Sequence, residues 1–160
     1  MMKSFTTLMI VLGILALVAC TASHSGDSET KTDTSRISPR QIKNIAGIEW
    51  HLTKMITDNK TIALINDTQT TFSCDEDGKV AGVASLNRYF GNFTIKDDGQ
   101  IMWSKAFGMT RMAGPPELMA QEAKFMKALP QTSHMYLKAS KLIMASKDQS
   151  TVLEFHQVGE

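Results

Sequence analysis

From Gly47 to Val158 the chain runs in short stretches that alternate apolar with polar side chains, each cut off by a turn signal. That period of two is what antiparallel strands require. Trp50 and Leu52 share one face of the first candidate strand, with His51 and Thr53 on the other. Asp77-Gly78 separates residues 70–74 from 80–84, and Asp98-Gly99 separates 93–95 from 101–103. Both dipeptides suit a tight hairpin, because Gly takes positive φ without steric cost and Asp tolerates it better than most residues. Residues 135–137, 141–145 and 151–158 predict three further strands, with 147–150 as the last turn.

One segment departs from this period. After Pro115-Pro116, residues 117–129 place Leu118, Phe125 and Leu129 on one stripe with Met119 and Met126 beside it, which is helical spacing. Glu117 lies in the first turn, Lys124 and Lys127 lie toward the end, and Pro130 stops the helix, the order that the helix dipole favours. One helix of this length cannot cover both faces of a sheet with seven or eight strands. The expected fold is therefore mainly β, a small, partly closed antiparallel barrel of seven or eight strands with the helix packed across one end or side.

The N-terminal end has a different character. Lys3 precedes the uncharged apolar run 8–19, which as a helix would span about 18 Å against a hydrocarbon core of about 30 Å, so it reads as a signal-peptide core. It ends in Leu17-Val18-Ala19-Cys20, which resembles the bacterial lipobox, where the cysteine accepts a diacylglycerol before cleavage. The competing readings are a secretory signal followed by an ordinary cysteine, or an uncleaved anchor. Charge, core length and small-residue site agree on a lipoprotein signal over 1–19, with Cys20 as the lipidated residue. More than one acyl chain holds a protein stably on a bilayer. Thr21 stands where an inner-membrane-retained lipoprotein would carry Asp, which points to the periplasmic face of the outer membrane. Residues 20–44 are almost wholly polar and are expected to form a flexible tether reaching about 27 Å, leaving 45–160 as the domain.

Charge then limits the partners. With 17 Lys and Arg against 16 Asp and Glu, the chain lacks the positive surplus that nucleic-acid binding needs. Two cysteines and scattered histidines complete no zinc cage; His51, His134 and His156 fall on different strands with no His-x-x-x-His spacing, so no metal site and no cofactor is expected. Asp75-Glu76-Asp77-Gly78 lacks the later ligands of a calcium loop and reads as a hairpin turn. Cys74 shares parity with Phe72 and is expected to point inward, an intermolecular disulfide being the alternative. The methionines of the second half, Met102, Met109, Met112, Met119, Met126, Met135 and Met144, read as adaptable core filling, with copper capture by thioethers as the competing role. No nucleophile elbow or phosphate loop occurs, and Ser28-x-x-Lys31 lies inside the tether where no nucleophile could be activated. The chain offers no catalytic residues.

Residues 47–155 resemble the META domain family, which includes heat-inducible envelope lipoproteins. The resemblance rests on Gly47-Ile48-Glu49-Trp50-His51-Leu52, on the run Gly82 to Phe93 with Leu86-Asn87-Arg88-Tyr89 and Gly91, and on Thr110-Arg111-Met112-Ala113. It continues with Glu122, Phe125, Leu142 and Leu153-Glu154-Phe155. Family members often carry Cys-Asn where this chain has Leu86-Asn87, and Met-Ala-Cys where it has Met112-Ala113-Gly114. The resemblance therefore implies two loops that a disulfide would join in relatives and that packing joins here. It implies envelope residence and an association with heat or drug stress, and no catalytic activity.

Asn87, Arg88, Tyr89 and Gly91 are expected on a tight connection, with an Arg-Tyr recognition patch as the functional alternative. Thr110, Arg111 and Met112 lead into the helix or line a mouth of the barrel. The function expected is a non-catalytic outer-membrane lipoprotein, an envelope stress or drug-tolerance factor that binds a partner protein. Two alternatives are a carrier of a small apolar ligand, lined by Trp103, Phe93 and methionines, and a hydrolase inhibitor inserting the Arg88-Tyr89 loop.

Overall fold

The computed structural model describes residues 34–66 and 68–157. The signal segment, Cys20 and the tether up to residue 33 lie outside them. Among the described residues no helix is long and apolar enough to cross a membrane.

Among the described residues eleven strands form one antiparallel sheet: β1 (Thr34–Arg36), β2 (Trp50–Thr57), β3 (Lys60–Ile62), β4 (Thr71–Cys74), β5 (Lys79–Ala84), β6 (Asn87–Ile95), β7 (Ile101–Trp103), β8 (Gly108–Met109), β9 (His134–Lys138), β10 (Lys141–Ala145) and β11 (Val152–Gln157). The path is β1-β9-β10-β11-β2-β4-β5-β6-β7, with β3 beside β2 and β8 beside β6. Both Asp-Gly hairpins form where the sequence places them, joining β4 to β5 and β6 to β7, with Gly78 and Gly99 at φ 78° and 79°. The strands added to the expected seven or eight are β1, β3 and β8, each too short to show a period.

The expected partial closure into a barrel is not what forms. The sheet stays open, because its end strands β1 and β7 are three residues long and share no ladder. The seam between them is crossed by single bonds: Ile101 N–H donates to Ser133 O at 2.8 Å, and Trp103 Nε1 donates to Thr132 O at 2.9 Å. Arg36 adds a third link, lying over the Tyr136 ring and donating to Asp98 O at 3.3 Å.

The expected tether boundary at 44 also moves. From Thr34 the chain is part of the body: β1 pairs with β9, and Ile37 N–H continues the pairing onto Met135 O. A 3-10 helix over Pro39–Asn44 follows, closed by Gln41 Oε1 accepting from Ser38 N and Oγ. Ile37 and Ile45 are buried at 1% and 0% exposure, and Ile45 O accepts the Trp50 indole N–H. A polar average over these residues conceals isoleucines that are few but fully used.

In β2 the register slips between Lys54, opposite Glu154, and Leu52, opposite Phe155. Thr53 is the extra residue, so Leu52 and Met55 both reach the interior despite opposite parity. Among the described residues one α-helix forms, α1 (Pro116–Ala128), which runs on through a 3-10 turn at Leu129–Gln131. Its inward stripe carries Phe125 and Leu129 as expected, together with Ala128, while Leu118 is only half-buried, Met119 is exposed, and Gln121 and Glu122 are buried. Below it seven aromatic rings touch in series, Phe72–Phe155–Phe125–Tyr89–Phe107–Trp103–Phe93, at centroid distances of 5.4 to 6.4 Å. Such pairs add to the area they bury, and together they fill the interior from β4 to β7.

Ile37→Ala tests the boundary. A buried isoleucine costs about 2–5 kcal/mol when truncated, whereas a tether residue would cost within about 0.5 kcal/mol. Urea unfolding is expected to show the larger loss.

Candidate functional site

β5 and β6 are joined by Ser85-Leu86 alone, with Ser85 at φ 75°. Asn87 therefore opens β6 instead of lying in the turn, and Arg88, Tyr89 and Gly91 follow it in the strand. The expected tight connection sits one step earlier than those residues.

Asn87 is buried and every polar atom of its side chain is engaged. Nδ2 donates to Met112 O and Glu122 Oε1, both at 3.1 Å, and Oδ1 accepts from Met112 N at 2.7 Å and Thr110 Oγ1 at 2.9 Å. Its backbone N–H donates to Glu122 Oε2 at 2.7 Å. Thr110 is tied back in turn, its Oγ1 accepting from Arg88 N and its N–H donating to Arg88 O, both at 3.0 Å. One amide thus clamps three elements: the β6 start, the 110–112 segment and α1. A carboxamide has two donors and two acceptor positions, so none is left for a ligand.

The neighbouring helix residue closes a second cluster. Gln121 Oε1 accepts from Ile65 N at 2.7 Å, and its Nε2 donates to Ser85 Oγ at 2.8 Å and Thr68 Oγ1 at 3.1 Å. The positive-φ turn is held from above by this bond. Among the described residues no buried side-chain nitrogen or oxygen lacks a partner.

Tyr89 turns inward, its hydroxyl donating to Thr71 O at 2.9 Å, and burial pushes its pKa well up. Gly91 lies under Phe107, where a Cβ would stand 2.6 Å from the ring. Arg88, Thr110, Arg111 and Met112 are exposed. The expected Arg-Tyr patch is therefore split by strand parity, Tyr89 to the core and Arg88 to solvent. Parity puts Phe90 outward beside Arg88, with Ala81 and Gly108 as its cross-strand partners. At 60% exposure it is the most exposed large apolar side chain of the body. The sequence signal was available, since Phe90 alternates against Tyr89 and Phe93.

The positions where relatives often carry cysteines meet here as Leu86 and Gly114. A Cβ on Gly114 would stand 2.7 Å from Leu86 Cδ2, so the leucine packs onto the bare glycine backbone. Cys74 points inward as expected, and burial, with Asp75 adding to it, pushes its thiol up to about 12. The Asp75 loop is a hairpin turn, with Asp75 Oδ1 accepting from Lys79 N at 2.8 Å. Met135 and Met144 fill the core as expected, but Met102, Met109, Met112 and Met119 are exposed and do not. Trp103 and Phe93, expected to line a ligand chamber, stack on each other at 5.4 Å and occupy that space themselves.

An open antiparallel sheet covered, among the described residues, by one α-helix, with its conspicuous polar cluster turned inward, defines a small β-domain. The chain belongs to the META domain family, whose pattern it matches over residues 43–159. Among solved structures it is similar to an NMR structure of a protein from Burkholderia xenovorans, with TM-score 0.63 and 17% identity over 79% of this chain and 92% of that one. A second NMR structure gives TM-score 0.53 and 20% identity over 76% and 95%. A DUF4847 family protein from Bacteroides vulgatus gives TM-score 0.51 and 11% identity over 74% and 97%. These likenesses establish the fold. No curated protein matches the chain.

Asn87→Ala keeps the backbone bond to Glu122 Oε2 but strips Glu122 Oε1, Thr110 Oγ1 and the Met112 backbone groups of their side-chain partner, and is expected to cost about 3 kcal/mol. Arg88→Ala, one residue away and exposed, is expected to stay within about 0.5 kcal/mol; urea denaturation of both compares them. The doubly substituted Leu86→Cys, Gly114→Cys chain is expected to oxidise to an intramolecular disulfide and to gain about 3 kcal/mol over its reduced form. Thiol titration and unfolding with and without reductant check this.

Proposed function

We propose that this META domain protein is a lipid-anchored envelope protein at the periplasmic face of the outer membrane, whose body works by docking a partner protein under envelope stress. The observation that carries the reading is the outer face of β5 and β6. There a protruding Phe90 stands on a floor of small residues, Ala81 and Gly108, with the Arg88 guanidinium next to it on the same side. Exposed aromatic and arginine side chains are the types that dominate protein interfaces. The sequence at Cys20 supports the anchor, and the saturation of Asn87 and Gln121 favours a structural role for the buried polar groups over a chemical one.

The two alternatives find less support. The aromatic series occupies the volume that a carried ligand would need. The loop that an inhibitor would insert is a strand, with the Tyr89 ring in the core.

A photo-crosslinking residue placed at position 88 or 90, and at the exposed Ser140 as control, tests the docking face in intact heat-stressed cells fed a palmitate analogue. One adduct of constant mass from 88 and 90, absent at 140, is expected on a palmitate-labelled protein. No adduct at 88 and 90, or an equal one at 140, contradicts docking through this face. An unlabelled protein contradicts the anchor.

A further inference from the structure

His51 on β2 and His156 on β11 are direct partners across the antiparallel ladder. Both turn to the outer face, since Trp50, Leu52 and Phe155 beside them pack into the interior. Cβ atoms of opposed residues on an antiparallel pair stand about 4.5–5.5 Å apart, so the two imidazoles are neighbours by register. Sequence spacing gave no hint of this, because the strands that carry them lie at opposite ends of the domain.

Each ring also has a carboxylate behind it. His51 Nε2 lies 2.9 Å from Glu49 Oε1. A carboxylate only accepts, so this contact favours the tautomer with the proton on Nε2, the one that offers the Nδ1 lone pair to a metal. His156 Nε2 stands 3.7 Å from Glu154 Oε1, which Lys141 Nζ holds in place at 2.8 Å. At His51 a carboxylate bound to the far nitrogen is the arrangement that orients metal-bound histidines, whereas Glu154 lies beyond hydrogen-bond reach of His156 and adds only its charge. Their side chains remain 24% and 40% exposed, open to an ion from solution.

We propose that His51 and His156 form a two-imidazole clip for a borderline divalent transition metal, with Glu49 as the orienting partner of His51. Imidazole nitrogen suits Zn²⁺ and Cu²⁺, and the general order of affinities makes Cu²⁺ the tighter. No cluster of three or more His, Cys, Asp or Glu side chains able to hold a metal occurs among the described residues, so the clip supplies two protein donors and leaves the remaining positions to water or to a donor from elsewhere.

The full chain in detergent is titrated with ZnCl₂ by calorimetry, with His24→Gln in every sample so that this histidine contributes nothing. One Zn²⁺ per chain is expected, with affinity falling at least about tenfold in His51→Gln and in His156→Gln. It should fall about tenfold in Glu49→Gln and be unchanged in His134→Gln. In parallel, CuCl₂ added to the chain with both His51 and His156 present is expected to broaden amide resonances around positions 51 and 156 first, a readout independent of whether the variants fold. The proposal is overturned by the absence of zinc binding at millimolar concentration, by unchanged affinity in either histidine variant, or by copper broadening centred elsewhere.

Discussion

Two adjacent side chains on one helix, Gln121 and Glu122, hold the domain in its shape. The sheet is open, its apolar side is covered by α1 with Ile37 and Ile45, and the helix meets it through Phe125, Ala128 and Leu129. Apolar contact alone would let such a helix slide or rotate, because burial is non-directional. The buried carboxylate and carboxamide fix its position. Glu122 binds the first residue of β6 twice, and Gln121 binds the β5–β6 turn and the 65–68 segment. Buried polar groups of this kind stabilise only when every partner is present, which Asn87 ensures by joining Glu122 to Thr110 and Met112.

That clamp decides which residues are free for anything else. Asn87, Tyr89 and Glu122 are consumed by the fold, and so is the Thr110 hydroxyl. What reaches solvent from the same strand is the even-numbered set, Arg88 and Phe90, on a surface of small residues. The inner side of this strand holds the fold, and the docking role we propose belongs to the outer side alone. The pair β11 and β2, where His51 faces His156, is separated from it by β4 in the strand order.

The parts legible in the sequence are those whose signals are local. Both Asp-Gly hairpins, the last three strands and the helix stop at Pro130 follow from turn chemistry and periodicity within a few residues. β1, β3 and β8 are shorter than any period can show, and Ile37 and Ile45 lie in a stretch whose average is polar. The burial of Gln121 and Glu122 was hidden because an amphipathic stripe counts apolar residues, and these two are polar. Asn87 is recognisable as important, but the tight connection expected at it is made one step earlier, at Ser85, where the positive φ falls. Barrel closure was inferred from the need to bury one face, a need that α1, Ile37 and Ile45 meet without a continuous ladder.

The account stands most directly on whether helix and sheet open as one unit. Native-state hydrogen exchange resolved by residue measures this: the amides of Asn87 and Met112 and the interior amides of α1 should share one opening free energy with those of β5 and β6, and should follow it down together as denaturant is added. Exchange of the α1 amides at a distinctly lower free energy, with β5 and β6 still protected, would mean that the helix leaves without the sheet and that the polar clamp does not govern the fold.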